Sequence, residues 1–424
     1  PGIVTFFCLM KVFLGISSFQ ALAMFRRGLF YSYLTIYLRH FLGLSVTTTT
    51  LFATLPMIVS VISQRYIWGV ISDRYQKRRL LILWGEIIAG ILTVVLWYLH
   101  ILPDDKAMAG YIIIIGLSVI ELFWSMSNIG WSALISDIYE ESRRGSIMGK
   151  LESFGGLGRM LGVLSGGLLY DGFGQQFSGW GFYHGALFFI SSGAMFLSTL
   201  PMLMVPEGGV SSLEKEQIIT RETSRYNPRI FQIFIVAMAL INFGRNSISV
   251  TLAQYLTLPG GFHLSSMTLG NIVNIRSVAI ILTGLVSGMV GKRLGAGNYL
   301  TVGTGISVLS LLILGMFETI ELVCLSSFLM GVSEVIISAA SYELASIYIP
   351  PEKRGKLFSV FNATFFLSWG IAATCIAGPI TDLLIQAGRS AVSAYQVSFN
   401  VAAAMTASGM ILLFVLFAYA RRSP

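Results

Sequence analysis

Two adjacent arginines, Arg26 and Arg27, lie inside a run that is otherwise almost entirely apolar from Val12 to Leu38. A charged side chain at the centre of a membrane helix costs roughly 2.5–3.5 kcal/mol even on scales from insertion experiments. Arginine stays charged at any working pH, and its planar guanidinium donates paired hydrogen bonds that fit a carboxylate or a phosphate. If this run crosses a membrane, the two arginines predict a buried site for an anion.

Other charged residues also fall near the middle of apolar runs. They are Arg159, Arg245, Arg276, Glu121 and Glu334. Together with Arg26 and Arg27, five positive charges stand against two negative ones, a net charge of +3. Buried ions without partners are strongly destabilising, so an excess of this size indicates a partner that comes from solution. We expect the substrate-binding residues to be Arg27, Arg245, Arg26, Arg276 and Arg159.

Two interpretations of the glutamates remain open. Glu121 and Glu334 would serve as counter-ions for Arg159, Arg276 or Arg26, or they would carry protons, because a carboxyl group in a low-dielectric cavity can be neutral near physiological pH. Arg26 has an alternative of its own, a salt bridge to a neighbouring helix.

The composition indicates the membrane in which these charges would lie. Of 424 residues, 55% are hydrophobic and 11% are charged, against about 25% charged in ordinary soluble domains. Apolar runs of about 20 residues recur along the chain, long enough to cross the ~30 Å hydrocarbon layer as helices. The runs are continuous rather than alternating, which favours helices over barrel strands. The chain is predicted to be an all-α integral membrane protein.

Twelve membrane spans are predicted. Their bounds are 14–38, 47–72, 80–101, 109–136, 147–170, 181–205, 230–257, 266–291, 299–317, 321–347, 357–385 and 394–420. A hydrophilic stretch at 206–229 lies midway. It predicts an N-terminal six-helix bundle at 1–205, a cytoplasmic linker at 206–229 and a C-terminal six-helix bundle at 230–424.

The lysines and arginines of the connections predict the orientation. Eighteen lie after even-numbered spans or at the C-terminus, and three lie after odd-numbered spans. Because basic residues are enriched on the cytoplasmic side, we expect both termini and the linker there, in the plasma (inner) membrane. The formal charge of +8 reflects this bias and the intramembrane arginines. It does not predict nucleic-acid binding, since no basic soluble domain is present to provide it.

The two halves of the chain are repeats. "FRRGLFYSYLTIYL" at 25–38 aligns with "FGRNSISVTLAQYL" at 243–256, which pairs Arg27 with Arg245. A duplicated six-helix unit is typical of a transporter whose site lies between the halves near the bilayer midplane. Arg27 and Arg245 are therefore expected to face each other across a pseudo-twofold axis.

A loop after the second span carries a family resemblance. "GVISDRYQKRRLL" at 69–81 resembles the cytoplasmic loop motif G-x-L-a-D-r-x-G-r-k of the major facilitator superfamily (MFS), although Gln76 replaces a glycine. A less complete copy of the motif lies at 288–300, where Lys292 occupies the position of the aspartate. With the repeats, the resemblance covers essentially the whole chain. It implies the MFS fold, twelve transmembrane helices in two pseudo-symmetric six-helix bundles.

The matching residues of this loop predict a cytoplasmic gate, and they are Gly69, Asp73, Arg74, Lys77 and Arg78. An aspartate beside several basic residues can form charge-assisted hydrogen bonds, and a glycine allows two helices to approach closely. The resemblance implies that this network stabilises the outward-open state. A positive-inside bias would explain the basic residues but not Gly69 and Asp73.

A second motif leaves two interpretations open. "GRMLGVLSGG" at 158–167 resembles the antiporter motif G-x-x-x-G-P-x-x-G-G, with Val163 in place of the proline. Its glycines at 158, 162 and 166 form one row on a helix face, so close helix packing is favoured over an implication of antiport.

These features favour secondary active transport of a small organic anion, a phosphate ester or a carboxylate, by alternating access, and the family resemblance implies proton coupling. The alternative is a proton-driven exporter of drugs or amphiphilic compounds. An enzyme is disfavoured, because the four histidines lie near the outer ends of spans and no HExxH motif occurs. We expect a monomer in the lipid bilayer with no cofactor or metal, and its partners are the anionic substrate and protons.

Overall fold

A computed structural model describes residues 2–139, 141–173, 178–208, 227–349 and 354–422. These residues are mostly helical and contain no strand. The α-helices are α1 Gly2–Ile36, α2 Val46–Ser63, α3 Gly69–Tyr75, α4 Arg78–His100, α5 Lys106–Ile138, α6 Glu141–Tyr170, α7 Trp180–Tyr183, α8 Ala186–Met202, α9 Pro228–Ser247, α10 Thr251–Leu256, α11 Ser266–Leu294, α12 Ala296–Met316, α13 Ile320–Tyr348, α14 Arg354–Ala372, α15 Gly378–Gln386 and α16 Ala391–Arg422. Three π-helical segments, Tyr37–Phe41, Gln64–Trp68 and Ala373–Ala377, extend or join them.

Nine stretches of the described chain are long and apolar enough to cross a membrane. They coincide with nine of the predicted spans, and the first, fifth and sixth predicted spans fall on α1, α6 and the pair α7–α8. The all-α membrane fold is confirmed, and the count of twelve crossings stays a prediction.

The chain forms two compact units. The first comprises Pro1–Leu44, Leu55–Lys215 and Ser266–Gly270, and the second comprises Ser45–Thr54, Glu216–Ser265 and Asn271–Pro424. This division follows the halves of the sequence except for two short segments, the beginnings of α2 and α11.

The first unit is built around the contact between α1 and α6. Gly158, Gly162 and Gly166 of α6 lie directly against the backbone of α1, at Ala21, Phe25 and Leu29. An added Cβ at any of the three would collide with a carbonyl group of α1. The row of glycines is therefore a helix-packing surface, which confirms that interpretation of the motif, and the close approach fixes how α1 is rotated.

The second unit has its core between α9, α13 and α16, where Phe234, Ile241, Ile336 and Leu413 are buried. Gly409 lies against the backbone of α9 at Ala237. These contacts hold the C-terminal end of α9, on which Arg245 lies.

An aspartate holds the beginning of one helix in each unit. In the second unit, Asp382 accepts hydrogen bonds from the backbone amides of Val46 (3.1 Å) and Thr47 (2.8 Å), the first two residues of α2. In the first unit, Asp171 accepts a hydrogen bond from the hydroxyl of Ser266, the first residue of α11. A carboxylate is favourable at a helix N-terminus because the first amides lack partners within the helix.

Candidate functional site

The two arginines of α1 lie in different environments. Arg26 is 2% exposed, whereas Arg27 is exposed. Both guanidinium groups lie near the indole ring of Trp124 on α5, with the guanidinium carbon 3.8 Å from the ring centroid for Arg26 and 4.7 Å for Arg27. These distances are within the range of a cation–π interaction, which gains strength when the groups are desolvated.

Trp124 is held in turn by Glu86 of α4. The indole Nε1 donates to Oε1 of Glu86 at 2.7 Å, and the hydroxyl of Ser127 donates to the same oxygen at 2.8 Å. Glu86 is 1% exposed and Trp124 is 5% exposed. The sequence analysis missed both residues, although Glu86 is visible as the one acidic residue of α4.

Glu86 corrects the predicted charge excess. With this third acid the count is five arginines against three glutamates, so the net charge is 5 − 3 = +2 rather than +3. The sign of the excess is unchanged.

Two nitrogens of Arg26, Nε and Nη2, are buried and meet no hydrogen-bond acceptor among the described residues. The face of Trp124 lies against Arg26, and among the described residues Nε and Nη2 form no salt bridge of the kind considered as an alternative. The face of the Trp124 ring attracts the positive charge of Arg26, but it accepts no hydrogen bond from Nε or Nη2, which lie along the edge of the guanidinium.

Glu121 lies one turn before Trp124 on α5 and close to the same arginines. Its carboxylate accepts a hydrogen bond from Ser60, and the charges of Arg27 and Arg26 act on it. The first unit thus brings Arg26, Arg27 and Glu121 together, and their role in substrate binding stays a prediction.

Arg276 and Glu334 form an ion pair in the second unit. Nε and Nη2 of Arg276 both donate to Oε2 of Glu334, at 3.0 and 2.7 Å. The side chains are 16% and 20% exposed. This geometry favours the counter-ion interpretation of Glu334.

Arg245 lies on α9 and is 8% exposed. Its Nε donates to Oδ1 of Asn242 at 3.2 Å, and Asn242 donates to the hydroxyl of Thr364 at the same distance. The guanidinium carbon is 5.7 Å from the ring centroid of Phe365. Arg245 therefore lies in a polar patch between α9 and α14. A ligand shared between Arg27 and Arg245 stays a prediction.

Arg159 lies on α6 and is half-buried, and its carbonyl group lies against Gly28 of α1. The α1–α6 contact thus places its backbone against Gly28, the residue that follows Arg27.

The predicted gate is centred on Arg78, which is 6% exposed. Its Nε donates to Oδ2 of Asp137 at the end of α5 (3.2 Å), Nη2 donates to Gln76 (3.1 Å), and Nη1 donates to the carbonyl group of Ser72. Asp137 is a partner of Arg78 that the sequence analysis missed, although it stands in the sequence "SDIYEE" at the end of α5. The gate role itself stays a prediction.

The other predicted gate residues differ from Arg78. Arg74 and Lys77 are exposed, and the side chain of Asp73 lies outside the described residues. At Gly69 the described residues show no close approach of a second helix, because the atoms nearest to an added Cβ belong to Gln64, five residues earlier. A π-helical segment ends immediately before Gly69, and its wider turn brings that carbonyl group close.

Glu207, the second residue of the predicted linker at 206–229, contacts the residue that follows Arg78. It accepts a hydrogen bond from the backbone amide of Arg79 (2.6 Å) at the beginning of α4. The next residue, Gly208, is so close to Arg78 and Asp137 that an added Cβ would lie 3.0 Å from each side chain.

The sequence has named relatives. Multidrug resistance protein MdtG of Salmonella typhi is 28% identical over 238 residues, which is 55% of this chain and 56% of that protein. MdtG of Salmonella arizonae matches with the same identity and coverage. The match thus spans about half the length of these curated relatives.

Solved structures share the fold. The inward-facing bacterial homologue of the human lysosomal transporter Spinster superposes with a TM-score of 0.70 at 13% identity and covers 96% of both chains. Nucleoside transporter NupG gives 0.67 at 14% identity, with 96% of this chain and 98% of that chain covered. The sequence model described as Major Facilitator Superfamily matches residues 16–260 and 234–424. The chain therefore belongs to the Major Facilitator Superfamily of membrane transporters.

Proposed function

We propose that this transporter moves a small organic anion, a phosphate ester or a carboxylate, by alternating access. The supporting observation is the buried guanidinium of Arg26, whose Nε and Nη2 meet no acceptor among the described residues. A buried charged group without hydrogen-bond partners is strongly destabilising. An oxyanion would supply the missing acceptors and part of the missing charge.

Arg27 and Arg245 are proposed as the two clamps on this anion. Arg27 is exposed beside Arg26, and Arg245 occupies the matching repeat position in a polar patch of the second unit. Lysine would keep each positive charge but lose the planar fork of donors. Arg159 belongs to the same proposed site, whereas Arg276 contributes less because Glu334 occupies two of its donors.

Proton coupling is proposed for Glu121. Glu121 accepts a hydrogen bond from a neutral hydroxyl, that of Ser60, whereas Glu334 accepts two hydrogen bonds from the guanidinium of Arg276. Protonation of Glu334 would weaken both of these charge-assisted bonds. Protonation of Glu121 would leave the charges of Arg26 and Arg27 more available to the substrate.

The orientation is proposed from the basic connections. The eighteen-to-three distribution of lysine and arginine supports cytoplasmic termini and a cytoplasmic linker in the inner membrane. The transporter is proposed to act as a monomer.

Ligand stabilisation of the purified protein tests this proposal. Phenyl phosphate and benzoate are the anionic probes, and tetraphenylphosphonium is the cationic probe. A ligand that binds the native state raises the melting temperature by mass action. We expect an anionic probe to stabilise the protein, and Arg27→Lys and Arg245→Lys to weaken its binding by about 10- to 150-fold, the value of one charged hydrogen bond.

The control is Arg65→Lys, because Arg65 is an exposed arginine outside the proposed site. If Arg27→Lys and Arg245→Lys bind the probe as Arg65→Lys does, the two residues are not the clamps. If neither anion stabilises the wild-type protein, the anion proposal fails.

Export of drugs or amphiphilic compounds is the second candidate function. It is favoured by the similarity to the multidrug resistance protein MdtG over 55% of this chain. Stabilisation by tetraphenylphosphonium and not by the anions would select this candidate, and the positive excess around Arg26 would then require a structural explanation.

A further inference from the structure

Four side chains from three helices form one connected cluster in the first unit. Glu86 of α4 accepts hydrogen bonds from Trp124 and Ser127 of α5, and Trp124 presents its ring to Arg26 of α1. Arg26, Trp124 and Glu86 are each 5% exposed or less. The cluster therefore links the carboxylate of Glu86, through the ring of Trp124, to the guanidinium of Arg26.

Each link of this cluster restrains the next. The hydrogen bond to Glu86 fixes the rotation of the indole and is charge-assisted, so it is stronger than a bond between neutral groups. A carboxylate acceptor also makes the indole more electron-rich, which strengthens its attraction for a cation. The 3.8 Å separation between the ring centroid and the guanidinium carbon is close to van der Waals contact, so the ring limits how the guanidinium can turn.

The two nitrogens of Arg26 without acceptors lie on one edge of the guanidinium. Arg276 shows what such an edge binds in this protein, because its own Nε and Nη2 both donate to Oε2 of Glu334. In Arg26 the same edge meets no carboxylate among the described residues. Glu86 lies on the far side of the ring, and Glu121 interacts with the charge of Arg26 without accepting from Nε or Nη2.

We propose that the Nε–Nη2 edge of Arg26 is the subsite for the oxygens of an oxyanion, and that Trp124 and Glu86 are positioning residues that set its selectivity. This inference rests on the proposed transport of an anion and adds two residues to it. Trp124 and Glu86 keep the guanidinium of Arg26 charged and oriented, and neither of them accepts a hydrogen bond from its Nε or Nη2. A ligand with two oxygens on one atom, carboxylate or phosphate, is therefore selected over its neutral amide.

The test measures the affinity of purified variants for benzoate, phenyl phosphate and the neutral analogue benzamide. Trp124→Phe keeps an aromatic ring but removes the donor to Glu86. Arg26→Lys keeps the charge but removes the edge. Trp131→Phe is the matched control, because Trp131 lies on the same helix and its Nε1 is buried with no acceptor among the described residues.

We expect Trp124→Phe and Arg26→Lys each to weaken binding of the preferred anion by about tenfold, because phenylalanine is a weaker cation–π partner without the bond to Glu86 and lysine lacks the paired donors. Trp131→Phe should bind that anion like the wild type, and benzamide should bind none of the proteins. Saturating anion should change the tryptophan fluorescence of the wild type and of Trp131→Phe but not that of Trp124→Phe, a signature that a merely structural role would not produce.

Glu86→Gln provides a second test if Trp124→Phe fails to fold. Glutamine still accepts from Trp124 and Ser127 but carries no charge, so we expect anion affinity to fall by about threefold, less than one cation–π contact contributes. Equal anion affinities in Trp124→Phe and Trp131→Phe, or in Glu86→Gln and the wild type, would overturn the positioning role and leave the proposed function standing. If the wild type binds neither anion, the proposed function fails and this inference fails with it.

Discussion

Arg276 and Glu334 are joined through a single oxygen, since Nε and Nη2 of the arginine both donate to Oε2 of the glutamate. The pair neutralises itself within the second unit, in contrast to Arg26 of the first unit. Protonation of Glu334 would weaken two charge-assisted hydrogen bonds at once. Glu334 is thus better suited to stabilise the second unit than to exchange protons.

Removing the charge of Glu334 should therefore destabilise the protein. We expect Glu334→Gln to lower the free energy of unfolding by about 2 kcal/mol, below the usual 3–5 kcal/mol for a buried pair because both side chains are partly exposed. The double variant Arg276→Met, Glu334→Met should recover part of this loss, since no charge is left unpaired. Thermal unfolding of purified variants measures both effects. A double variant less stable than Glu334→Gln would contradict the expectation.

Glu121 and Glu334 should differ in their effect on proton coupling. We expect Glu121→Gln to suppress pH-driven uptake in proteoliposomes while exchange of substrate for substrate continues, because the amide cannot carry a proton. Glu343→Gln, at an exposed position of α13, is the control and should keep both activities. Normal pH dependence in Glu121→Gln would assign this residue to charge balance alone.

The gate centred on Arg78 should affect turnover more than binding. We expect Asp137→Asn to slow transport by at least about tenfold with little change in substrate affinity, because it loses a charge-assisted hydrogen bond to Arg78 far from the proposed site. Asp73→Asn should act in the same direction. Transport rate and equilibrium binding are measured on the same preparations.

Asp104→Asn is the control for these gate variants, since Asp104 is exposed in the connection before α5. Equal losses of binding and transport in Asp137→Asn would place Asp137 in a structural role instead.

Asp171 should make stability depend on pH. Burial raises the pKa of its carboxyl group above the ordinary value of 3.8, although the hydrogen bond from Ser266 opposes this. The native protein then binds more protons than the unfolded protein, so this contribution is fully present below pH 3.8 and is lost as the pH rises through the raised pKa.

Melting temperatures of the wild type and of Asp171→Asn between pH 4 and 7 check this sign. Relative to the variant, the wild type should lose stability as the pH increases, and Asp104→Asn should show no such trend. The opposite slope would mean that the hydrogen bond from Ser266 outweighs burial.

The helices were predictable because each depends on a local pattern. α4 runs from Arg78 to His100, against a prediction of 80–101, since an unbroken apolar run between charged ends admits few alternatives. The glycine row of α6 was equally readable, because residues four apart share one face of a helix. The π-helical turn before Gly69 was not, since it changes the hydrogen-bond register without a distinctive composition.

The pairing of side chains was less predictable. Sequence placed Arg276, Arg26 and Glu334 in the membrane but left several pairings possible, because partners depend on how each helix is rotated and which neighbour it meets. Trp124 carries no charge, so the pattern of charged residues did not predict that its ring contacts Arg26.

The aspartate at the beginning of α2 has a consequence for biosynthesis. The amides of Val46 and Thr47 precede Asp382 in the chain by 336 and 335 residues. At about 5–20 residues per second, a ribosome needs roughly 17–67 s to synthesise the intervening chain. During that interval the amides of Val46 and Thr47 lack the carboxylate that accepts their hydrogen bonds in the folded protein. The beginning of α2 therefore reaches its final hydrogen bonds only after Asp382 has been synthesised.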